Sequence, residues 1–348
     1  MLTELILQNF KSFVKTSIPV KPLTLLAGLN NTGKSSILQS LRMFWKWQKL
    51  KDPLINEYGS LNELRNKNAD SNDEIQIGVS LENAGNPFFL AFKQENIISP
   101  IDEGTNTLLP MLCYLCAERW GPRPLLPTFT SIDKLMHVGE HGEYVIDFLS
   151  QHERDIVPEI MWHPKSEGQT LEYNVRAWLG EIAPNIKLIQ HVDHSSDLSY
   201  FKVNSFRPNN VGFGISYSLP ILVLLLGMAS NWSDHSSFKD NGVIVLIENP
   251  EAHIHPKGQT LIGQFISKAV AAGLQVIIET HSDHVLDGIR LSVQDKTLNP
   301  SQIAFHYFSL EDNHSVIQSP EIYDTGKLSF WPEGFFDQTL KDRSRLAK

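Results

Sequence analysis

Lys34 and Ser35 close the run G-L-N-N-T-G-K-S over residues 28–35, and that spacing suits phosphate chemistry. Gly28 and Gly33 permit a tight turn that points main-chain N–H groups inward, where a following helix would present its positive end. Lys34 would bring a point charge to the β- and γ-phosphates, and the Ser35 hydroxyl would be a ligand of Mg²⁺. Asn30, Asn31, Thr32, Gly33 and Ser36 complete the expected nucleotide contacts. The motif needs a strand before it and a helix after it. Leu23 to Ala27 is a short apolar run, and Leu38, Leu41 and Trp45 recur at helical spacing in a segment running to about Leu50.

Two further apolar runs read as buried parallel strands with chemistry at their ends. Val243 to Ile247 leads into E-N-P-E-A-H-I-H-P, and Leu274 to Glu279 leads into T-H-S-D-H. With right-handed crossovers, these ends and Ala27 would lie along one edge of a sheet. Glu248 is then the expected metal-side carboxylate. Asn249 occupies the position of a catalytic base, but an amide cannot accept a proton at neutral pH, which leaves Glu251 as the substitute. His281 would donate to the γ-phosphate. Upstream, N-F-K-S-F over 9–13 puts Lys11 and Ser12 close to the phosphate loop in sequence, as nucleotide contacts or as a solvated turn.

Arg207 to Tyr217 reads R-P-N-N-V-G-F-G-I-S-Y before an expected apolar helix over 218–229. Gly212, Gly214 and Ser216 suit a second anion cradle, and a capping turn explains the same residues. Strand-like runs over 75–81 and 87–93 read as an antiparallel pair. Cys113 and Cys116 form a lone C-x-x-C on a strand-like stretch, which fits core packing better than a metal. Beyond it, Glu118, Arg119 and Arg123 are binding groups or a structural ion pair. A rival assembly gathers His253, His255, His281 and His284 with Glu248 or Glu251 around a metal, as in a metallonuclease. There is no G-x-S-x-G elbow for a serine hydrolase.

Forty-one per cent of the 348 residues are apolar, which is ample for a large core, and the net charge of −9 argues against a coat of positive charge, though not against a local basic groove for nucleic acid. Two cysteines exclude a disulfide framework. The N-terminus has no signal-like apolar region, and the longest apolar stretch, 219–229, is shorter than a bilayer span, so no membrane partner and a cytoplasmic location are expected. No sustained heptad pattern predicts a long coiled coil.

Taken together, G-L-N-N-T-G-K-S, V-G-F-G-I-S, V-I-V-L-I-E-N-P-E-A-H-I-H-P and T-H-S resemble the ABC-type ATPase heads related to the OLD, RecF and SMC families. A-E-R-x-G-P-R at 117–123 and W-P-E-G-F-F-D-Q at 331–338 make the chain similar to a group of AAA-annotated bacterial ATPases that includes ATPase subunits of phage-defence systems such as Septu. The resemblance implies an α/β P-loop NTPase with a mainly parallel core sheet, an antiparallel β-subdomain and a helical insertion. It divides the chain into an N-terminal ATPase lobe (1–93), an insertion or lid (94–204), a C-terminal ATPase lobe (205–320) and an aromatic end (321–348). It further implies a Mg²⁺-ATP-driven homodimer or higher homo-oligomer. Lys34 and Ser35 would act as Walker A, Glu248 as Walker B and His281 as the switch residue, with Gly212, Gly214 and Ser216 closing over ATP in trans. A separate nuclease-like effector, or nucleic acid, is the implied partner. V-G-F-G-I-S departs from the transporter L-S-G-G-Q, and Asn249 departs from the usual glutamate, so the resemblance also admits slow hydrolysis or an ATP-glued scaffold.

Overall fold

The computed structural model describes residues 1–94, 96–98, 109–130, 137–232, 241–336 and 338–346. In chain order its first elements are β1 (Leu2–Phe10), β2 (Phe13–Pro19), β3 (Leu23–Gly28), α1 (Lys34–Leu50), α2 (Leu61–Leu64), β4 (Ile75–Leu81), β5 (Phe88–Lys93) and β6 (Asn96–Ile97). The middle of the chain carries β7 (Met111–Leu115), β8 (Leu126–Pro127), α3 (Val145–His152), α4 (Leu171–Ile182), β9 (Leu188–Asp193) and β10 (Leu198–Val203). There follow α5 (Phe213–Trp232), β11 (Val243–Glu248), α6 (Pro256–Ala271), β12 (Gln275–Glu279), α7 (Asp283–Gln294), β13 (Ile303–Glu311), β14 (His314–Gln318) and α8 (Gln338–Leu346).

The apolar runs become a six-stranded sheet in the order β14-β13-β3-β12-β11-β7, parallel except for the β13–β14 hairpin. Both faces are covered over β3, β11 and β12, which is why those strands are nearly continuous apolar runs and do not alternate. Leu25, Val245, Ile247, Val276 and Ile278 face a core shared with α5, α6 and α7. Leu26, Ile244, Leu246 and Ile277 face a second core, with α1 and the antiparallel sheet β2-β1-β4-β5-β6. The expected mainly parallel core sheet with an antiparallel β-subdomain is therefore observed.

Three expectations change. Residues 94–204 are not wholly an insertion, because β7 pairs with β11 as the edge strand of the central sheet; most of the 94–107 stretch lies outside the described residues. The remainder of that region holds α3, α4 and a small sheet, β8-β10-β9, packed towards α5. The apolar helix starts at Phe213 and not at Ser218, since the glycines precede or enter its first turn without breaking it. At 20 residues α5 is also long and apolar enough to cross a membrane, but 83% of its window Phe213–Ser230 is buried inside the protein, as expected of a core helix.

Candidate nucleotide site

Strand β3 delivers the phosphate loop at a point of close backbone approach. Gly28 has φ 143°, and a Cβ there would stand 2.2 Å from the carbonyl oxygen of Phe308 on β13. Gly28→Ala is therefore expected to lower folding stability by about 2 kcal/mol, read by urea unfolding, through combined strain and overpacking. Gly33, at φ 105°, turns the chain into α1. Lys34 is only 3% exposed; its Nζ donates to the Leu29 carbonyl at 2.7 Å and lies 3.8 Å from Glu279 Oε1. Burial lowers the Lys34 pKa, and Glu279 partly opposes that shift. Ser35 Oγ donates to the same Glu279 Oε1 at 3.0 Å.

The loop forms one wall of a cavity of about 730 Å³. Asn30, Asn31, Gly33, Lys34, Ser35 and Ser36 line it together with Lys11 and Ser12. Thr32 turns away, its hydroxyl donating to the Leu29 carbonyl at 2.8 Å. Lys11 donates to Gln39 Oε1 from α1, and burial lowers its pKa. Ser315 on β14 donates to the Thr32 carbonyl at 2.7 Å and lies 2.6 Å from Ser12 Oγ, tying the N-terminal hairpin to the phosphate loop.

The register of the central sheet decides which carboxylate reaches the loop. Glu279 on β12 pairs with Leu26 of β3 on one side and Glu248 of β11 on the other. It is thus Glu279 that meets Lys34 and Ser35, whereas Glu248 accepts from the Tyr114 hydroxyl at 2.9 Å and the Ala117 N–H at 3.1 Å. Glu279 has no counterpart among the residues singled out from sequence. Its signal was present as a lone carboxylate ending a fully buried run, directly before T-H. Burial, with the Glu248 and Glu251 carboxylates adding to it, pushes Glu279 up to about 7 against the pull of Lys34 and Ser35. Its Oε2 is buried with no protein partner.

The turn after β11 is held by main-chain contacts. Asn249 adopts φ 43°, donates its N–H to the Glu279 carbonyl at 2.8 Å, and leaves its own Oδ1 buried and unpartnered. Arg119 spans the turn from the other side through the carbonyls of Glu248 and Asn249. Glu251 is engaged at both oxygens, accepting from Thr280 Oγ1 at 2.6 Å and from the His281 N–H at 2.7 Å. Burial and the nearby Lys34 lower the His281 pKa, with Glu251 opposing them, so the imidazole is neutral at pH 7. Behind Tyr114, the Arg42 guanidinium of α1 sits 3.9 Å from the ring centroid and pairs with Glu140 at 2.6 Å.

Gly212, Gly214 and Ser216 lie away from this cavity. Gly214 is packed so that a Cβ would stand 3.0 Å from the His253 carbonyl, and the Ser216 hydroxyl is buried without a partner. Phe213, 52% exposed, and Tyr217 flank the His253 ring at centroid distances of 5.1 and 4.4 Å. That packing occupies His253 with aromatic rings, while His255 Nδ1 caps α6 by accepting from the Lys257 N–H at 3.3 Å. Among the described residues no group of three or more His, Cys, Asp or Glu side chains is arranged to hold a metal, so the rival histidine assembly has no geometric support. Cys113 Sγ meets Met228 Sδ at 3.6 Å, and Cys116 Sγ lies 3.1 Å from His141 Nδ1; burial raises both thiols.

A family model described as "AAA ATPase domain" matches residues 1–111 and 167–286, which span the phosphate loop, β11, β12 and the T-H-S turn. The chain belongs to the AAA ATPase domain family. A second model, "Protein of unknown function (DUF3696)", matches residues 298–346. Among solved structures, the chain is similar to SMC heads. A SmcHead bound to the C-winged helix domain of ScpA has 13% identity and TM-score 0.48 over 92% of this chain and 97% of that one. The SMC head domain from Thermotoga maritima has 11% identity and TM-score 0.45, over 92% and 99%. A Smc head domain with an extended coiled coil, bound to the C-terminal domain of ScpA derived from Pyrococcus furiosus, has 12% identity and TM-score 0.46, over 100% and 99%. No curated protein matches the sequence.

Proposed function

We propose that this member of the AAA ATPase domain family binds Mg²⁺-ATP in the cavity beside Lys34 and hydrolyses it slowly. The observation that carries the reading is the cluster of Lys34, Ser35 and Glu279 at the mouth of the phosphate loop. It fits the implied ligands: Ser35 Oγ and the unpartnered Glu279 Oε2 are hard oxygen donors of the kind Mg²⁺ takes, and Lys34 rests on a main-chain carbonyl it can exchange for phosphate. Bound Mg²⁺ would supply charge neutralisation across the β- and γ-phosphates. For the chain's own part, Lys34 takes phosphate oxygens and neutral His281 donates one N–H to the γ-phosphate. Glu248 supports the metal side from behind Glu279, and Glu251 orients the T-H-S turn.

Turnover is proposed to be slow because neither residue at the expected position of a base is free to act as one. Asn249 cannot take a proton, and both Glu251 oxygens already accept hydrogen bonds. The same features favour a second reading, an ATP-dependent dimerising switch with little hydrolysis. In either case a homodimer or higher homo-oligomer docking head to tail would bring Gly212, Gly214, Ser216 and exposed Phe213 of one copy over the nucleotide of the other. The resemblance to ABC-type heads extends the proposal to control of a nuclease-like effector or of nucleic acid, in DNA maintenance or phage defence. Lys34→Ala is expected to weaken ATP by about 30-fold, the worth of one charge-assisted contact of about 2 kcal/mol. Equilibrium binding with Mg²⁺, beside phosphate release and mass in solution, tests it; unchanged affinity would sink the site, and tight ATP-dependent dimers without phosphate release would select the switch.

A further inference from the structure

The phosphate loop accounts for only one wall of the cavity. The facing wall comes from two segments far apart in sequence, the stretch after α2 with Arg65 and Asn68, and the tip of the β13–β14 hairpin with Asn313 and His314. The hairpin lies outside the residues matched by the AAA ATPase domain and inside the segment of unknown function. Its tip is held by Ser315, which binds the Thr32 carbonyl and the Ser12 main chain, so it is tied directly to the phosphate loop.

Three polar atoms in residues of this wall have no partner within the protein and are closed to solvent. Arg65 Nη1 donates to the carbonyls of Asp70, at 3.2 Å, and Asp73, but its Nε and Nη2 are buried with nothing to bind. His314 Nε2 lies 3.0 Å from Asn68 Nδ2; with the amide assigned this way round, Nε2 accepts and the neutral ring carries its proton on Nδ1. That Nδ1 is also buried and unpartnered. Closed to solvent as they stand, these nitrogens reach a molecule in the cavity by rotation of the two side chains, both only partly buried; buried donors are rarely left unpaired in native proteins, and a ligand rich in acceptors is the partner such a rotation would serve. Phosphate is already provided for by Lys34 and the loop amides. The nucleoside end of the same ligand offers the remaining acceptors, purine ring nitrogens and ribose oxygens, at the far side of the cavity. A nucleotide of that size suits a volume of about 730 Å³.

We propose that Arg65 and His314 form the nucleoside-binding wall of this site, so that the C-terminal segment of unknown function completes the nucleotide pocket. The proposal rests on the phosphate-loop reading above. Inorganic tripolyphosphate separates the two, since it carries the phosphates and lacks the nucleoside. Binding of Mg²⁺-ATP and of Mg²⁺-tripolyphosphate is to be measured on the full chain for the wild type, His314→Ala, Arg65→Gln and Lys34→Ala. The expected result is a wild-type preference for ATP of at least tenfold. His314→Ala and Arg65→Gln should each lose most of that preference while holding tripolyphosphate within twofold, and Lys34→Ala should weaken both ligands. Equal affinity of the wild type for both, equal losses on both in the wall variants, or no loss in either would overturn the proposal. If Lys34→Ala leaves both ligands unchanged, the phosphate-loop reading itself fails. Because Arg65 also holds the 70–73 turn, His314→Asn provides a second variant: it keeps a polar side chain of smaller reach and should retain the wild-type melting temperature while losing ATP preference.

Discussion

Replacing Arg119 by methionine is expected to remove about 4 kcal/mol of folding stability and to abolish any ATP turnover. The guanidinium is 2% exposed. Nη1 donates to the carbonyls of Cys116 at 3.1 Å and Glu248 at 2.8 Å, and Nη2 to that of Asn249 at 2.6 Å. Its face lies 5.3 Å from the Tyr217 ring centroid on α5. Burial lowers its pKa to about 10, so it stays charged at neutral pH, with the Glu248 and Glu251 carboxylates nearby helping to keep it so. Methionine fills much of the volume but removes this donor from the Cys116 and Glu248 carbonyls and leaves that of Asn249 with only the Ala252 N–H at 3.0 Å, and breaking such a buried polar set costs about 3–5 kcal/mol. The turn carrying Glu248, Asn249 and Glu251 would lose its clamp, and α5 would lose one of its links to that turn, keeping those through His253. Arg119→Lys should recover part of the stability, since one ammonium cannot reach all three carbonyls with the planar fork of arginine. Urea unfolding gives the first quantity, and phosphate release at a temperature where every variant is folded gives the second. A loss under 1 kcal/mol with unchanged turnover would show that the turn keeps its shape unaided.

The contrast between Arg119 and Lys34 shows what could be read in the chain before its fold was known. Lys34 belongs to a local motif whose geometry is written in consecutive residues, as are the apolar runs that became β3, β11 and β12, and doubly covered strands leave that signature. Arg119 stood at a strand end beside Gly-Pro and suggested either a ligand group or an ion pair. It proved to bind carbonyls some 130 residues away, a partner no local pattern can name. Glu279 was hidden for a related reason. Its role depends on β12 lying between β3 and β11, and strand order in a parallel sheet is set by crossovers, not by spacing within a strand. The start of α5 was misplaced because Gly212 and Gly214 read as a turn, although Gly214 is inside the helix, where its bare Cα admits the His253 carbonyl. Arg65 and His314 gave no signal at all, since each gains meaning only from the cavity they share.

Glu279→Gln is expected to stabilise the metal-free, nucleotide-free protein, and by an amount that grows with pH. The carboxyl is 6% exposed and raised to about 7 from an ordinary 4.5, first by burial and then by the carboxylates of Glu248 and Glu251. At pH 4.5 and below, the folded and unfolded chains both hold this proton, and the group favours neither. Between 4.5 and 7 the unfolded chain releases it while the folded chain retains it, so the unfolded state binds fewer protons and stability falls as pH rises. Above about 7 both are ionised and the full penalty stands, about 3 kcal/mol for a shift of this size. Glutamine resembles the protonated acid at every pH and carries no such penalty. Lys34 and Ser35 act in the opposite direction by favouring the ionised form, and their pull is already contained in the value near 7. Urea unfolding in chelator at pH 5 and pH 8 should therefore show the variant close to wild type at the lower pH and about 3 kcal/mol more stable at the higher. A difference of the same size at both would mean that Glu279 titrates as an ordinary surface acid, and Lys34 with Ser35 would then balance burial at the centre of the site. A difference that opens across that interval identifies Glu279 as a carboxylate that folding alone does not accommodate, in the place where the phosphate loop would receive its cation.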